Sequence, residues 1–117
     1  MATIDDFKKL ELKVAVIKEV SDHPNADRLY VITLDVWDKT KQVVAGIKVS
    51  YQKEDLIGRQ VVLVDNLDPA MLRGVESQGM ILAASDEDGI AIVSPQRIMK
   101  LGSLVKWLTS LSPRGFV

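Results

Sequence analysis

Residues 30–45 read YVITLDVWDKTKQVVA, and this stretch decides the fold. Every second residue from Tyr30 to Val36 is apolar, which is the period of a β-strand with one buried face, here predicted over about Arg28–Trp37. A short polar turn follows at residues 38–40, and a further strand begins at residues 42–45. Two strands joined by a short polar turn predict a β-hairpin.

Four more strands are predicted on either side of this hairpin. Apolar alternation predicts one strand over about Glu11–Val20, and Val61–Val64 forms another that is apolar on both faces and therefore central in the sheet. A fifth strand is predicted over Gly79–Ala84. The dipeptide Asp88-Gly89 is a strong hairpin signal, and a sixth, shorter strand follows over Ile90–Val93.

The helical signals are weak and short. Thr3 is a suitable cap for a single turn over Ile4–Lys9. Ser50 is predicted to cap a short helix over Tyr51–Leu56, which Gly58 closes. A one-turn helix is predicted from Asp68-Pro69 through Leu72, because proline is tolerated in a first turn.

This order of elements predicts an all-β protein with an OB-fold. In that fold, a five-stranded Greek-key barrel carries a helix between strands three and four. An SH3-like barrel is the main alternative, but it lacks a natural place for residues 50–58. We expect one domain over residues 1–117, with the barrel at about 10–85 and a β-rich extension at about 86–117.

Composition excludes several classes of function. The chain has no Cys and one His, His23, so thiolate metal sites, a His-based zinc site and a catalytic triad are disfavoured, and no cofactor is expected. No apolar run approaches the roughly 18 residues that a membrane span needs. The start of the chain lacks the pattern of a signal peptide, so a cytoplasmic location is expected.

The net charge of −1 disfavours binding of any nucleic acid by charge alone. The charges are unevenly distributed, however, since residues 89–117 contain four basic side chains and no acidic one. A local basic face and an ordinary mixed surface therefore both remain open.

No constellation of residues supports catalysis. Residues 74–79 have the glycine spacing of a phosphate loop, but Met80 and Ile81 stand where the Lys and Ser or Thr should follow. The paired acids lie in turns or first helical turns, where they are solvated. The chain is not expected to be an enzyme.

Two loops contain the residues of interest. Residues 23–27, His-Pro-Asn-Ala-Asp, join strands one and two, and this composition also suits a plain, well-formed turn. The loop over residues 66–80 is longer than a connection requires. Its Ser, Arg and Met could contact phosphate, ribose and base in RNA, respectively.

At these loops the chain resembles the tRNA-binding domain family. The matching segments are HPNADRLYVITLDV, GIKVSYQKEDLIGRQVVLVDNL and LRGVESQGMILAAS, and the resemblance runs from about Phe7 to Gly102. Members include a free-standing tRNA-binding protein, the C-terminal domain or β subunit of methionyl-tRNA synthetase, and a multisynthetase accessory factor. The resemblance implies an OB-fold, recognition of folded tRNA by shape, and homodimerisation.

The resemblance also suggests which residues bind RNA. Ser77 and Met80 fall on the Gly-Val-Glu-Ser-x-Gly-Met run, and Asn25 falls on the first turn. Neighbouring segments that we expect on the same face supply three more candidates, namely Lys48, Asn66 and Arg73.

The sequence departs from the family pattern at two positions. Trp37 replaces a frequent Gly, and Ala45 replaces a frequent Ser. Trp37 is either a surface stacking platform or a packing residue in an altered hairpin.

Two other functions remain open. A secretion-associated chaperone shares the fold and would bind unfolded polypeptide, but it lacks the two loop motifs found here. A purely structural domain that tethers a synthetase is the third possibility. The chain could act alone or as a partner of methionyl-tRNA synthetase.

The segment after the barrel predicts a dimer. Residues 90–111 contain eleven Ile, Val, Leu, Met or Trp side chains, too much apolar surface for a tail in water. Folding back on the barrel would also cover them, but the resemblance favours a two-fold homodimer.

Overall fold

The structure, a computed structural model, describes residues 1–108 of the 117-residue chain. It contains two short helices and ten strands within that range. In chain order they are α1 (Ile4–Lys8), β1 (Leu12–Asp22), β2 (Tyr30–Asp35), β3 (Thr40–Ala45), α2 (Lys53–Leu56), β4 (Gln60–Val64), β5 (Ala70–Leu72), β6 (Val75–Ser77), β7 (Met80–Ile81), β8 (Ala83–Asp86), β9 (Gly89–Ile92) and β10 (Leu104–Val105).

The main sheet is antiparallel, with the strand order β3-β2-β1-β4-β7. The N–H of Gln78, just before β7, donates to the carbonyl of Gln42 in β3 at 2.7 Å, which nearly closes the sheet into a barrel. Helix α2 lies between β3 and β4 in the chain. The OB-fold prediction is confirmed, and so is the β-rich extension, since the β8–β9 hairpin and β10 follow the barrel.

Strand β4 contributes to two apolar layers. Val61 and Leu63 are fully buried in the barrel core, whereas Val62 and Val64 face a second cluster outside it. Phe7 of α1 packs against that second cluster, and β10 pairs with β1 beside it. The prediction that this strand is apolar on both faces and central is confirmed, because β1 and β7 flank it.

Local signals for α1 and for the end of α2 are confirmed. The Thr3 hydroxyl accepts from the N–H of Asp6 at 3.3 Å, and the Asp6 carboxylate accepts from the N–H of Thr3 at 2.9 Å. This reciprocal capping box satisfies two free donors of the helix. Gly58 has a φ of +87°, so it ends the α2 segment in the left-handed region, as predicted.

Three local predictions are wrong. Helix α2 begins after Gln52 without a side-chain cap, and the Ser50 hydroxyl instead accepts from the N–H of Ile90 at 3.2 Å. The segment ending at Leu72 forms β5 rather than a helical turn, because it pairs with β6. The predicted fifth strand is divided at Leu82, whose N–H still bonds β4 while the chain after it pairs with β9.

Within residues 1–108 no helix is long and apolar enough to cross a membrane. The same part of the chain holds no group of three or more His, Cys, Asp or Glu side chains that could bind a metal ion.

Candidate functional site

The two loops identified in the sequence lie against each other in the structure. His23 is buried between them, and its Nε2 lies 2.9 Å from the carbonyl oxygen of Leu72. Its Nδ1 accepts from the N–H of Asn25 at 2.9 Å. Because a backbone N–H can only donate, Nδ1 is unprotonated and Nε2–H donates to Leu72. A neutral His23 therefore fastens the β5–β6 hairpin to the first turn.

The tip of the β5–β6 hairpin is a tight two-residue turn. Leu72 pairs with Val75, and the residues between them, Arg73 and Gly74, have φ values of +53° and +89°. Two positive φ values match a type I′ turn, whose twist suits a hairpin and whose second position favours glycine. This turn presents the Arg73 side chain at the exposed end of the hairpin.

Asn25 and Arg73 hold each other in place at this tip. The Asn25 amide donates to the carbonyl of Arg73 at 3.1 Å, and the Arg73 guanidinium donates to the carbonyl of Asn25 at 3.3 Å. Both side chains line one surface cleft together with Arg28. The sequence analysis did not select Arg28, although it is a basic residue that directly follows the Asn-Ala-Asp turn.

Lys48 belongs to the same end of the barrel. Its ammonium lies 3.1 Å from Asp22, the last residue of β1, and 6.0 Å from the centre of the Tyr30 ring. Lys53 lies 3.1 Å from the other oxygen of the same carboxylate. The hydrogen bond from Lys48 contributes most to lowering the pKa of Asp22, and the hydrogen bond from Lys53 contributes next.

We call this surface the turn face and define it by its polar and basic side chains: Asn25, Arg28, Lys48, Lys53 and Arg73. It carries four cationic groups beside the carboxylates of Asp22 and Asp27. Asp86 and Asp88 line a neighbouring cleft together with Val49 and Ser50, which follow Lys48 in the chain. The structure thus brings Asn25, Lys48 and Arg73 to one end of the barrel, where Lys48 is paired with Asp22 and Arg73 lines a cleft with Asn25.

Ser77, in contrast, is enclosed in the barrel wall. It is 2% exposed, and its hydroxyl accepts from the N–H of Val44 at 3.0 Å while donating to the carbonyl of Gly79 at 2.8 Å. The hydroxyl therefore bonds β3 to the segment that closes the barrel. Its donor is used within the protein.

The next residues of the run are also packed. A Cβ at Gly79 would lie 2.7 Å from the carbonyl oxygen of Val64, so only glycine allows this close approach to β4. Met80 is half-buried, and its side chain packs against the barrel core.

Asn66 does not lie on the turn face. The side-chain oxygen Oδ1 of Asn66 accepts from the N–H of Glu11 at 2.8 Å, and the side-chain nitrogen Nδ2 donates to the carbonyl of Lys9 at 2.7 Å. It follows β4 beside the start of β1, whereas Asn25 comes after the end of β1. Asn66 therefore connects α1 and β1 to the end of β4.

The Asn66 end of the barrel contains a buried carboxylate that sequence reasoning missed. Asp65 is 5% exposed, and its Oδ2 lies 2.7 Å from Lys13 Nζ and 2.8 Å from Lys39 Nζ. Lys41 Nζ lies 2.9 Å from Oδ1 as an ion pair, while its hydrogen bonds go to the carbonyls of Asp65 and Gln78. Burial of the Asp65 carboxyl raises its pKa, but the three lysines outweigh burial and hold that pKa well below its usual value.

Solved structures with the same fold include two kinds of protein. The MetRS related protein from Pyrococcus horikoshii aligns with a TM-score of 0.83 and 29% identity over 90% of this chain and 97% of its own. The CsaA chaperone protein from Picrophilus torridus aligns with a TM-score of 0.84 and 29% identity over 90% of this chain and 99% of its own.

The chain is also similar in sequence to part of a synthetase. The methionine–tRNA ligase of Thermococcus kodakarensis is 51% identical over 104 residues, which are 89% of this chain but 14% of the ligase. The chain thus spans about a seventh of the length of that relative. The family described as "Putative tRNA binding domain" matches residues 12–104, and the chain belongs to this family.

Proposed function

We propose that this chain binds folded tRNA without catalysing a reaction on it, and that the turn face makes the principal contacts. One observation carries the proposal: His23 and Asn25 fasten the Arg73 tip to the first turn, so this turn and the tip of the β5–β6 hairpin form one surface. Two exposed arginines, Arg28 and Arg73, line its cleft. A fixed surface of this kind suits an RNA of fixed shape. Arginine also bonds phosphate in a planar, bidentate geometry.

The proposed mode of binding is recognition of shape. The deep, narrow major groove of duplex RNA excludes side chains, so a folded RNA offers its phosphates and 2′-hydroxyls instead. With four cations on the turn face, few phosphate contacts are available. We expect log affinity to fall with log salt with a slope of about −2 to −4.

A mobility-shift assay tests the proposal with three ligands: a folded tRNA, the same tRNA held unfolded by chelation of Mg²⁺, and an unfolded polypeptide. We expect tight binding of the folded tRNA alone. Equal affinity for the folded and unfolded RNA would contradict recognition of shape. Binding of the polypeptide alone would instead support the function named in the chaperone neighbours.

We also propose that the chain acts in the cytoplasm and together with methionyl-tRNA synthetase. Its similarity to a methionine–tRNA ligase and to a MetRS related protein supports the association with the synthetase. The chain would supply tRNA affinity to the synthetase, either as a separate protein or as an attached domain. Titration of the chain into a methionyl-tRNA synthetase that lacks such a domain tests the first arrangement. A decrease in the KM for tRNA supports it.

We further propose that the chain forms a homodimer through its C-terminal segment. Large apolar side chains are exposed there, namely Val93, Ile98, Leu104, Trp107 and Leu108. Residues 109–117, which the dimer prediction also included, lie outside the described residues. Burying such a patch against its own copy would form a two-fold interface.

Light scattering tests the dimer, which should have about twice the 12.9 kDa mass of the chain. Ile98→Lys should give the monomer mass and a lower tRNA affinity, since one RNA could no longer contact two linked sites. Ile57→Lys is the matched control, because Ile57 is also an exposed isoleucine, at 55% against 78% for Ile98, and lies outside the C-terminal segment. Truncation after Gly102 is a less specific test of dimerisation, because it also removes β10 from the sheet.

A further inference from the structure

Trp37 occupies a backbone conformation that suits glycine. Its φ is +92°, and it is the first of two central residues in the β2–β3 turn, which the bond from the N–H of Val36 to the carbonyl of Lys39 closes at 2.9 Å. A positive φ at that position is the mark of a type II′ turn, where glycine is preferred. A bulky residue there strains the backbone, because its Cβ crowds the neighbouring peptide.

The Trp37 side chain makes few contacts that could stabilise the fold and offset this strain. Trp37 is 81% exposed, the highest value among the aromatic residues that are exposed in residues 1–108. Within that range its indole makes no hydrogen bond and no ring contact, and its backbone N–H alone is bonded, to the Asp35 carboxylate. It is therefore not a core packing residue, and strain at a side chain that lies mostly in solvent points to a role outside the chain.

The surroundings of Trp37 combine apolar area with positive charge. A shallow cleft lies between Trp37, Lys100 and Leu101. The Lys100 side chain is exposed, and within residues 1–108 its ammonium is in no ion pair. Asp38 is the next residue in the chain, and the Lys39 ammonium is bound to Asp65. Lys100 is thus the cation available beside the ring.

This arrangement lies far from the turn face. Trp37 follows the last residue of β2, whereas the first turn precedes the start of that strand. Six strand residues at a rise of about 3.3 Å separate the two ends by about 20 Å. A ligand that contacts both ends must therefore be extended, as a folded RNA is.

We propose that Trp37 is a stacking platform for an unpaired base of the bound tRNA, and that Lys100 contacts the phosphate of that nucleotide. The inference rests on the proposed function. An exposed indole beside a free ammonium matches the two parts of a nucleotide, its flat base and its anionic phosphate. Stacking of unpaired bases on aromatic side chains is a general mode of RNA recognition, and it adds a contact that a purely paired helix cannot provide.

The substitution that tests the proposal is Trp37→Gly, which removes the ring and suits the positive φ. We expect the melting temperature to rise, because the strain is relieved. We expect the affinity for folded tRNA to fall on the order of tenfold, the usual effect of losing one stacked base. Trp37→Phe keeps a ring and should retain most of the affinity. A blunt-ended RNA duplex, which has no unpaired base, should bind Trp37→Gly and the wild-type chain equally.

Two further measurements examine the contacts themselves. The chain has two tryptophans, so in Trp107→Phe the emission reports on Trp37 alone and should be quenched in proportion to bound tRNA. Lys100→Gln should reduce the magnitude of the salt slope by about 0.7 to 0.9, the loss of one phosphate contact.

The negative results of these experiments distinguish failure of the proposed function from failure of this inference. If the wild-type chain does not bind folded tRNA, the proposed function fails, and this inference fails with it. If the wild-type chain binds tRNA and Trp37→Gly binds it equally well, the inference alone is overturned. It is also overturned if Trp37→Gly changes the mass measured by light scattering, since Trp37 would then lie in a contact between two copies.

Discussion

Asn25 and Arg73, 48 residues apart in the sequence, each donate a side-chain hydrogen bond to the backbone carbonyl of the other. The exchange joins the first turn to the tip of the β5–β6 hairpin. It uses one part of the Arg73 guanidinium, which has five N–H donors, so most of its donors remain available to a ligand. The same contact thus fixes the direction of the arginine and leaves it able to bind an anion.

Arg73→Gly should weaken tRNA binding by roughly 1–3 kcal/mol, the range for a lost charged hydrogen bond. Glycine suits the φ of +53° at this position, so the turn should still form. Fluorescence anisotropy with a labelled tRNA measures the effect. Arg97→Ala removes an exposed arginine outside the turn face and should change the affinity little. Equal losses in both variants would mean that general charge, rather than this tip, binds the RNA.

Ser77→Ala should lower the free energy of unfolding by about 1–3 kcal/mol, because it leaves the buried N–H of Val44 without an acceptor. This differs from the sequence-based expectation that Ser77 contacts RNA directly. Urea denaturation measures the change, and Ser21→Ala is the control, since that exposed hydroxyl makes one long bond of 3.5 Å. Unchanged stability together with weaker tRNA binding would instead indicate that Ser77 contacts the RNA directly.

Met80→Ala tests whether the Met80 side chain packs against the core or contacts the tRNA. The side chain packs against the core but is half-buried, so we expect a loss of stability smaller than that of Leu63→Ala. Leu63 is fully buried, and its truncation should cost roughly 2–5 kcal/mol through a cavity. Thermal unfolding and tRNA titration are measured on both variants. A loss of affinity in Met80→Ala without any loss of stability would place its side chain on the RNA.

Asp65→Asn should destabilise the chain at neutral pH by on the order of 3 kcal/mol, because Lys13, Lys39 and Lys41 lose their common partner. Folding lowers the pKa of Asp65, so this stabilisation is complete above the unfolded pKa of about 3.9 and is lost as the pH falls toward the folded pKa.

The difference between wild-type and Asp65→Asn should therefore narrow below about pH 4, because the Asp65 carboxylate of the unfolded chain becomes protonated there while that of the folded chain stays ionised. Urea unfolding at pH 7 and pH 3 checks this. Asp68→Asn, an exposed change three residues further along the chain, should show no such convergence. A constant difference at both pH values would mean that the ion pairs contribute nothing measurable.

Features that depend on near neighbours were predictable from the sequence. The alternation from Tyr30 to Val36 sets which face of β2 is buried, and those alternate residues lie in the barrel core. Thr3 caps α1 because its partner Asp6 is three residues away. The element order then led to the barrel, because short connections leave few ways to pair consecutive antiparallel strands.

Only the tertiary structure decided what each candidate side chain contacts. Ser77 and Asn25 are both small polar residues in segments that the sequence predicts as loops, yet barrel closure buries Ser77 against Val44 and leaves Asn25 exposed. Asp65 binds lysines from separate parts of the chain, which no local pattern could reveal. These lysines are 24 to 52 residues away from Asp65 in the sequence. Their contact with Asp65 therefore depends on strand register and on the path of the 66–80 loop. Period and capping act over a few residues, whereas register is a property of the whole sheet.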